Sequence, residues 1–166
     1  MLKKEEQIRN IITAFSVVKT YVIMNNKQNL TDINIHLEDF VCSLLNKTFG
    51  YDLHNINDDK LNTAYIDLID EKGKILIQVS SRHDKSKIND FLSDTGHPGF
   101  KYRFFCIGEG FPNRNMKSAY AAASGIVFDP SEDLLDFTRL VSCLKASADA
   151  VLDDVSRFVT TQVVYF

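Results

Sequence analysis

Apolar residues recur every three or four positions along the first part of the chain, which is the spacing of an amphipathic helix. This pattern predicts a first helix over residues 3–24, carried by Ile8, Ile11, Ile12, Phe15 and Val22. A second helix is predicted to begin at Thr31 or Asp32, because both are good N-caps, and to end at Gly50. Its apolar face consists of Leu37, Phe40, Val41, Leu44 and Leu45.

From Tyr51 onward the pattern changes to short runs that are typical of strands. Predicted strands are YDLHNI, AYIDLID and KILIQVS, and the charged turn EKG joins the last two. A helix from about Asp84 to Ser93 follows, and then come the loop TGHPG and the strand YRFFCIG, which is apolar enough to lie inside a sheet. GIVFDP is predicted as a further short strand. Ser131 is predicted to cap a helix that includes Leu134, Leu135, Val141 and Leu144.

This order of elements predicts an α/β fold with a mixed central sheet flanked by helices. The 166 residues and the lack of a linker-like segment favour one domain over 1–166. Its core would span about 31–130, with C-terminal helices over about 131–159. An apolar stripe in that last region predicts a homodimer contact or a contact with a further domain. The stripe consists of Ala148, Val151, Leu152, Val155, Phe158 and Val159.

Composition narrows the possible functions. The formal net charge is -3, so any binding of nucleic acid must come from a local basic patch and not from the charge of the whole chain. Cys42, Cys106 and Cys143 show no paired spacing, which favours a reducing compartment and a cytoplasmic protein. No apolar run approaches the roughly 18 residues that span a bilayer, so no membrane contact is expected.

Polar residues on the predicted hairpin stand out, because they interrupt two apolar strands. A turn centred on Lys72 and Gly73 places Asp67 directly across from Gln78. Glu38 borders the apolar face of the second helix and could approach this pair. Two carboxylates, an amide and backbone oxygens are ligands that suit Mg²⁺ or Mn²⁺.

A structural interpretation of the same residues also remains open. A strand aspartate often accepts a hydrogen bond from a loop, and Gln78 and Ser80 could satisfy backbone groups. The loop SRHDKSK that follows is either a polar connection whose Asp84 caps the next helix, or a phosphate contact that includes His83. The four histidines form no HExxH motif, so a zinc hydrolase is not indicated.

Three of these segments resemble a known family. NLTDINIHLEDFVCSLLNKTFGYDLHNIN, followed by LNTAYIDLID and ILIQVSSRHDKSKI, is similar to the SMEK domain of bacterial proteins over about residues 5–95. That domain is a nuclease-like module found at the N-terminus of larger proteins associated with defence. A helix Glu, a strand Asp and a polar residue on the following strand also resemble the PD-(D/E)xK nuclease core. The resemblance therefore implies a restriction-endonuclease-like fold and Mg²⁺-dependent hydrolysis of DNA.

The resemblance also implies a role for each residue of the site. Asp67, Gln78 and Glu38 would hold the metal, with the Val79 carbonyl as an additional ligand. Glu38, Asp67, Gln78 and Lys87 would form the catalytic set.

Ser80 departs from the family pattern, because it occupies the place of the family's catalytic lysine. That ammonium would stabilise negative charge in the transition state, and the loss of such a group typically slows the reaction ~10²-fold or more. Another residue must therefore supply the charge. Lys85 or Lys87 of the next helix could supply it, and together with Arg82 they would contact DNA phosphates. The alternative is a catalytically inactive module that keeps the nuclease fold for binding nucleic acid or protein.

Overall fold

The computed structural model of the chain describes residues 2–28, 33–56, 65–108, 110–111 and 120–165. The helices are α1 (Leu2–Lys27), α2 (Ile33–Phe49), α3 (Lys85–Leu92), α4 (Pro130–Asp133), α5 (Phe137–Lys145) and α6 (Asp149–Gln162), followed by a 3-10 turn over Val163–Tyr165. The strands are β1 (His54–Asn55), β2 (Leu68–Asp70), β3 (Ile75–Ser80), β4 (Lys101–Cys106) and β5 (Leu134–Leu135).

The chain forms two compact units. The helical unit comprises Met1–Tyr51 together with Phe137–Phe166, and the sheet unit comprises Asp52–Asp136. Whether the chain counts as the single predicted domain stays a prediction.

The helical unit is held together by the apolar faces that the sequence predicts. α1 packs against α5 and α6, and α2 packs against the same two helices. The first helix is confirmed and continues to Lys27, while the caps predicted for the second helix, Thr31 and Asp32, lie outside the described residues. α2 ends before Gly50, whose φ of 71° suits glycine and whose N–H donates to the Asn46 carbonyl.

Part of the C-terminal apolar stripe is used inside the helical unit. Leu152, Val155 and Val159 of α6 are buried, and Phe158 stacks on Phe40 of α2 with ring centroids 5.5 Å apart. Ala148 is exposed at the other end of the stripe. A dimer contact or a contact with a further domain through this region stays a prediction.

The sheet unit contains a five-stranded mixed sheet in the order β1-β2-β3-β4-β5. β1, β2 and β3 pair antiparallel, whereas β3, β4 and β5 run parallel. The α/β class with a mixed sheet and flanking helices is therefore confirmed. The hairpin register is confirmed as well, because Leu68 pairs with Ile77, and Asp70 pairs with Ile75 across the Lys72 and Gly73 turn.

α3 connects the parallel strands β3 and β4 and covers one face of the sheet. Its buried residues Ile88, Phe91 and Leu92 form one cluster with sheet residues that include Leu76 and Phe104. β4 lies between β3 and β5, and Phe104 and Phe105 are both 0% exposed, which confirms the predicted interior strand. TGHPG is a loop before β4, as predicted.

The strand predicted at GIVFDP is wrong. Only an isolated bridge between Lys101 and Val127 occurs there, and the fifth strand is Leu134–Leu135, which the sequence placed in a helix. These two leucines are fully buried and pair with Phe104 and Phe105. Tertiary pairing beside β4 thus overrides the local helical spacing.

The helix cap predicted at Ser131 is also wrong. Asp129 is the cap of the one-turn helix α4, and its side chain accepts a hydrogen bond from the Ser131 N–H. Pro130 follows at the first helical position, where its missing N–H has no cost.

No helix in the described ranges has the length and apolar character that crossing a membrane requires.

Candidate functional site

Asp67 lies immediately before β2, at the edge where the hairpin opens. Its N–H donates to the Ile77 carbonyl over 3.0 Å, and its Oδ2 accepts a 2.8 Å hydrogen bond from the Val79 N–H. The carboxylate therefore lies against the peptide that joins Gln78 to Val79.

Burial raises the pKa of the Asp67 carboxyl above its ordinary value, and it outweighs two opposing contributions, the Val79 N–H and the positive charge of Lys87. Lys87, which is partly buried in α3, is therefore close enough to act electrostatically on Asp67. Lys85 is exposed at the start of the same helix. Of the two predicted lysines, Lys87 is the one whose positive charge lowers the pKa of the Asp67 carboxyl.

Gln78 is buried, with only 5% of its surface exposed. By strand alternation it shares the face of Leu76, which packs under α3. Its side-chain Oε1 has no hydrogen-bond partner among the residues that the structure describes. A buried acceptor without a partner costs about 1–3 kcal/mol, so such groups usually indicate a bound water, an ion or a functional role.

The Val79 carbonyl points towards the side of β3 on which Asp67 lies. In the parallel ladder with β4, the carbonyls of Lys74 and Ser80 accept hydrogen bonds from Lys101 and Ile107. Because alternate residues of a strand bond to opposite neighbours, the N–H and C=O of Val79 both turn towards β2. The N–H already meets Asp67, and the carbonyl opens on the same side.

Ser80 and Arg82 have partners within their own loop. Ser80 is buried, and its Oγ accepts a 2.9 Å hydrogen bond from the Arg82 N–H. The Arg82 guanidinium pairs with both carboxylate oxygens of Asp84 at 3.0 Å. Asp84 is the N-cap residue of α3, as predicted, although its side chain makes no capping hydrogen bond.

Glu38 lies in α2 of the helical unit and is partly exposed, while the adjacent Asp39 is exposed. This agrees with its predicted position at the border of the apolar face. Its approach to Asp67, which belongs to the sheet unit, stays a prediction. Across the described part of the chain, no three His, Cys, Asp or Glu side chains are grouped so that they could hold a metal ion.

A second buried polar cluster, which the sequence analysis missed, surrounds Asp133. Asp133 is 0% exposed and Arg103 only 8%, and the Arg103 Nε lies 3.1 Å from the Asp133 Oδ1. Lys101 Nζ lies 3.3 Å from the same oxygen, and the Asp129 N–H donates to Oδ2 over 2.7 Å. The available signal was Arg103 itself, since a charge inside an apolar central strand requires a buried partner.

Asp70, three residues after Asp67, has a purely structural environment. Its Oδ1 accepts from the Gly73 N–H at 2.9 Å, and its Oδ2 accepts from the Asp52 N–H at 3.1 Å. The Gly73 hydrogen bond is the main reason why the pKa of the Asp70 carboxyl is lowered. Asp70 therefore holds the hairpin turn.

The fold and this site define an α/β protein with a buried amide and a partly buried carboxylate beside the antiparallel edge of a mixed sheet. A family model for the SMEK domain matches residues 10–145, and the chain belongs to that family. No curated protein and no solved structure matches the chain.

Proposed function

We propose that this SMEK domain is a metal-dependent, nuclease-like domain of restriction-endonuclease type that hydrolyses phosphodiester bonds in DNA. The observation that carries the proposal is the buried Gln78 Oε1, which lacks a partner among the described residues. The next residue, Val79, donates its N–H to the Asp67 carboxylate, so Gln78 lies beside Asp67 along the chain of contacts. A role in bacterial defence and a cytoplasmic location are proposed from the family resemblance and the composition.

The residues of the site fit a hard cation such as Mg²⁺ or Mn²⁺. Asp67, Gln78 and the Val79 carbonyl offer a carboxylate, an amide and a main-chain oxygen, which are the ligands that these cations prefer. Asp67 uses Oδ2 for the Val79 N–H, and within the described residues Oδ1 has no hydrogen-bond partner. The role of Glu38, which belongs to the helical unit, stays what the family resemblance implies. A bound ion would supply Lewis-acid stabilisation of charge on a phosphoryl oxygen.

Lys87 would perform the electrostatic task of the missing family lysine. The Ser80 hydroxyl at that position is already bonded to the Arg82 N–H and cannot carry a charge. The Lys87 ammonium acts on Asp67 and would stabilise negative charge that develops on a phosphate held there. Its replacement is expected to slow cleavage by ~10²-fold or more.

Calorimetric titration of the full chain with Mn²⁺ tests the metal site. The wild type is expected to bind and Asp67→Asn to lose binding, whereas the matched control Asp70→Asn should retain it because Asp70 serves the turn. In a plasmid-cleavage assay, Lys87→Met should lose activity, and the control Lys72→Met, at an exposed lysine of the hairpin turn, should keep it. A wild type that neither binds Mn²⁺ nor cleaves DNA would overturn the proposal.

The second candidate is a nuclease-fold module without catalysis that binds nucleic acid or protein. Ser80 in the lysine position favours it. Ser80→Lys separates the two candidates, because it should raise cleavage if the remaining site is competent. A Ser80→Lys variant that binds Mn²⁺ but cleaves no DNA would support the binding module.

A further inference from the structure

The loop between β3 and α3 presents His83 on one side. Arg82 and Asp84 flank it and bind each other through two 3.0 Å contacts. Asp84 has extended backbone angles, φ -65° and ψ 143°. Because alternate residues of an extended segment point in opposite directions, the ion pair holds the imidazole on the other side of the loop.

Aromatic contacts place the imidazole near the proposed site. His83 meets the edge of Phe111 with ring centroids 6.2 Å apart, and Phe111 meets Phe104 at 6.1 Å. Phe104 is the β4 partner of Gln78 in the parallel register. His83 therefore lies beyond the carboxyl ends of β3 and β4, where open α/β sheets commonly bind ligands.

The backbone of this loop is held closely against the end of β4. A Cβ atom at Gly108 would lie 2.8 Å from the Ser81 carbonyl oxygen, so only glycine permits the observed approach. The loop around His83 is thus held at two points, at Ser81 by the close approach of Gly108 and at Arg82 and Asp84 by their ion pair.

The His83 ring nitrogens have no hydrogen-bond partner among the described residues, and the side chain is partly exposed. Of the charged groups around it, Arg82 and Asp84 neutralise each other on the far side of the loop. Lys85 and Lys87 follow on α3, and Asp136 lies near Gly110, the neighbour of Phe111, where its Oδ2 would be 3.4 Å from a Cβ. The two lysines on α3 favour an anionic ligand.

We propose that His83 contacts a backbone phosphate of DNA that crosses the carboxyl ends of β3 and β4. This rests on the proposed function and names a substrate contact for that site. Histidine gains a proton near neutral pH, and phosphate contacts of this kind fix the register of a nucleic acid without reading its sequence. Arg82, which the sequence assigned to phosphate binding, becomes a positioning residue for His83.

Fluorescence anisotropy with a labelled duplex DNA, without divalent metal, tests this contact in the full chain. Wild-type affinity should rise between pH 8.5 and pH 6.0, and the slope of log affinity against log salt should steepen by about 0.9, the value for one added phosphate contact. His83→Gln should remove both changes. His83→Arg should give the steeper slope at both pH values.

His97→Gln is the matched control. Its Nδ1 lies 2.9 Å from the Asp94 Oδ2 before β4, so its loss should leave the pH dependence of binding unchanged. Arg82→Gln should weaken the pH dependence without removing it. Thermal melts establish that each variant is folded.

The outcomes separate this contact from the metal site. A wild type whose DNA affinity is the same at both pH values, or a His83→Gln variant that keeps the wild-type pH dependence, overturns the contact even if Mn²⁺ binds and DNA is cleaved. No heat with Mn²⁺, together with a His83-dependent change in affinity, overturns the metal site and leaves the phosphate contact. A wild type that does not bind DNA at pH 6.0 also overturns the contact.

Discussion

The sheet unit buries polar groups in two places, and they differ in how well those groups are partnered. The Asp133 carboxylate meets Arg103, Lys101 and the Asp129 N–H, so each of its oxygens has a partner. The Gln78 Oε1 meets no partner in the described part of the chain. A buried ion pair whose atoms all have partners needs no explanation beyond its structural role. A buried acceptor without a partner lowers stability, so its presence needs a reason other than folding.

The largest expected effect is at Asp133. Replacing it with Ala leaves the Arg103 guanidinium buried without its carboxylate, which should lower the free energy of unfolding by about 3–5 kcal/mol. Urea denaturation measures this change. The double variant Arg103→Met with Asp133→Leu removes both charges and should recover most of the loss. A small effect of Asp133→Ala would show that the Asp133 carboxylate is not the structural group that its contacts indicate, and the contrast with Gln78 would fail.

Gln78→Met should have a smaller effect of opposite sign. Methionine keeps the size of the side chain and removes the unpaired oxygen, so the variant should gain about 1 kcal/mol in metal-free buffer. Calorimetry should at the same time show loss of Mn²⁺ binding. If the variant is instead destabilised about as much as Asp133→Ala, Gln78 is a structural residue with a partner of its own.

The effect of pH on stability should differ between Asp67, just before β2, and Asp70, the last residue of β2. The pKa of Asp67 is raised in the fold, so the charged form is disfavoured and stability falls as pH rises from the unfolded value, about 3.9, through the folded one. Asp67→Asn should therefore be more stable than the wild type at neutral pH, by an amount on the order of 1 kcal/mol or less. The difference should vanish at a pH below both values.

Asp70 should behave in the opposite way, because its pKa is lowered in the fold. Its contribution to stability is present above the unfolded pKa and is lost as pH falls through the folded pKa. Asp70→Asn should therefore be less stable than the wild type at neutral pH, again on the order of 1 kcal/mol. Thermal melts across pH measure both variants, and the same sign for both would contradict the contrast.

Local patterns predicted the elements whose stabilising contacts follow from spacing. α1, α3, β3 and β4 appear where periodicity placed them, and the turn at Lys72 and Gly73 fixed the hairpin register. β5 could not be found in this way, because Leu134 and Leu135 also fit a helical stripe and only pairing with β4 makes them a strand.

The candidate site was predictable only where local spacing determines it. The pairing of Leu68 with Ile77 follows from the turn. The Asp67 N–H donates to the Ile77 carbonyl, so the regular register ends before Asp67, and its predicted pairing with Gln78 stays a prediction. The choice of Lys87 over Lys85 depends on how α3 is rotated against the sheet, and the 82–84 ion pair depends on an extended loop. Arg103 and Asp133 are far apart in sequence, so no local pattern connects them.

The division of the chain has a consequence for the order in which it folds. The sheet unit is one continuous segment, whereas the helical unit needs both Met1–Tyr51 and Phe137–Phe166. During synthesis the hairpin, α3 and β4 can assemble as they emerge, because these contacts are local and close short loops. The helical unit can form only after α5 and α6 have been synthesised. Until then the apolar faces of α1 and α2 lack those partners, so slow translation would prolong the time in which these faces can aggregate.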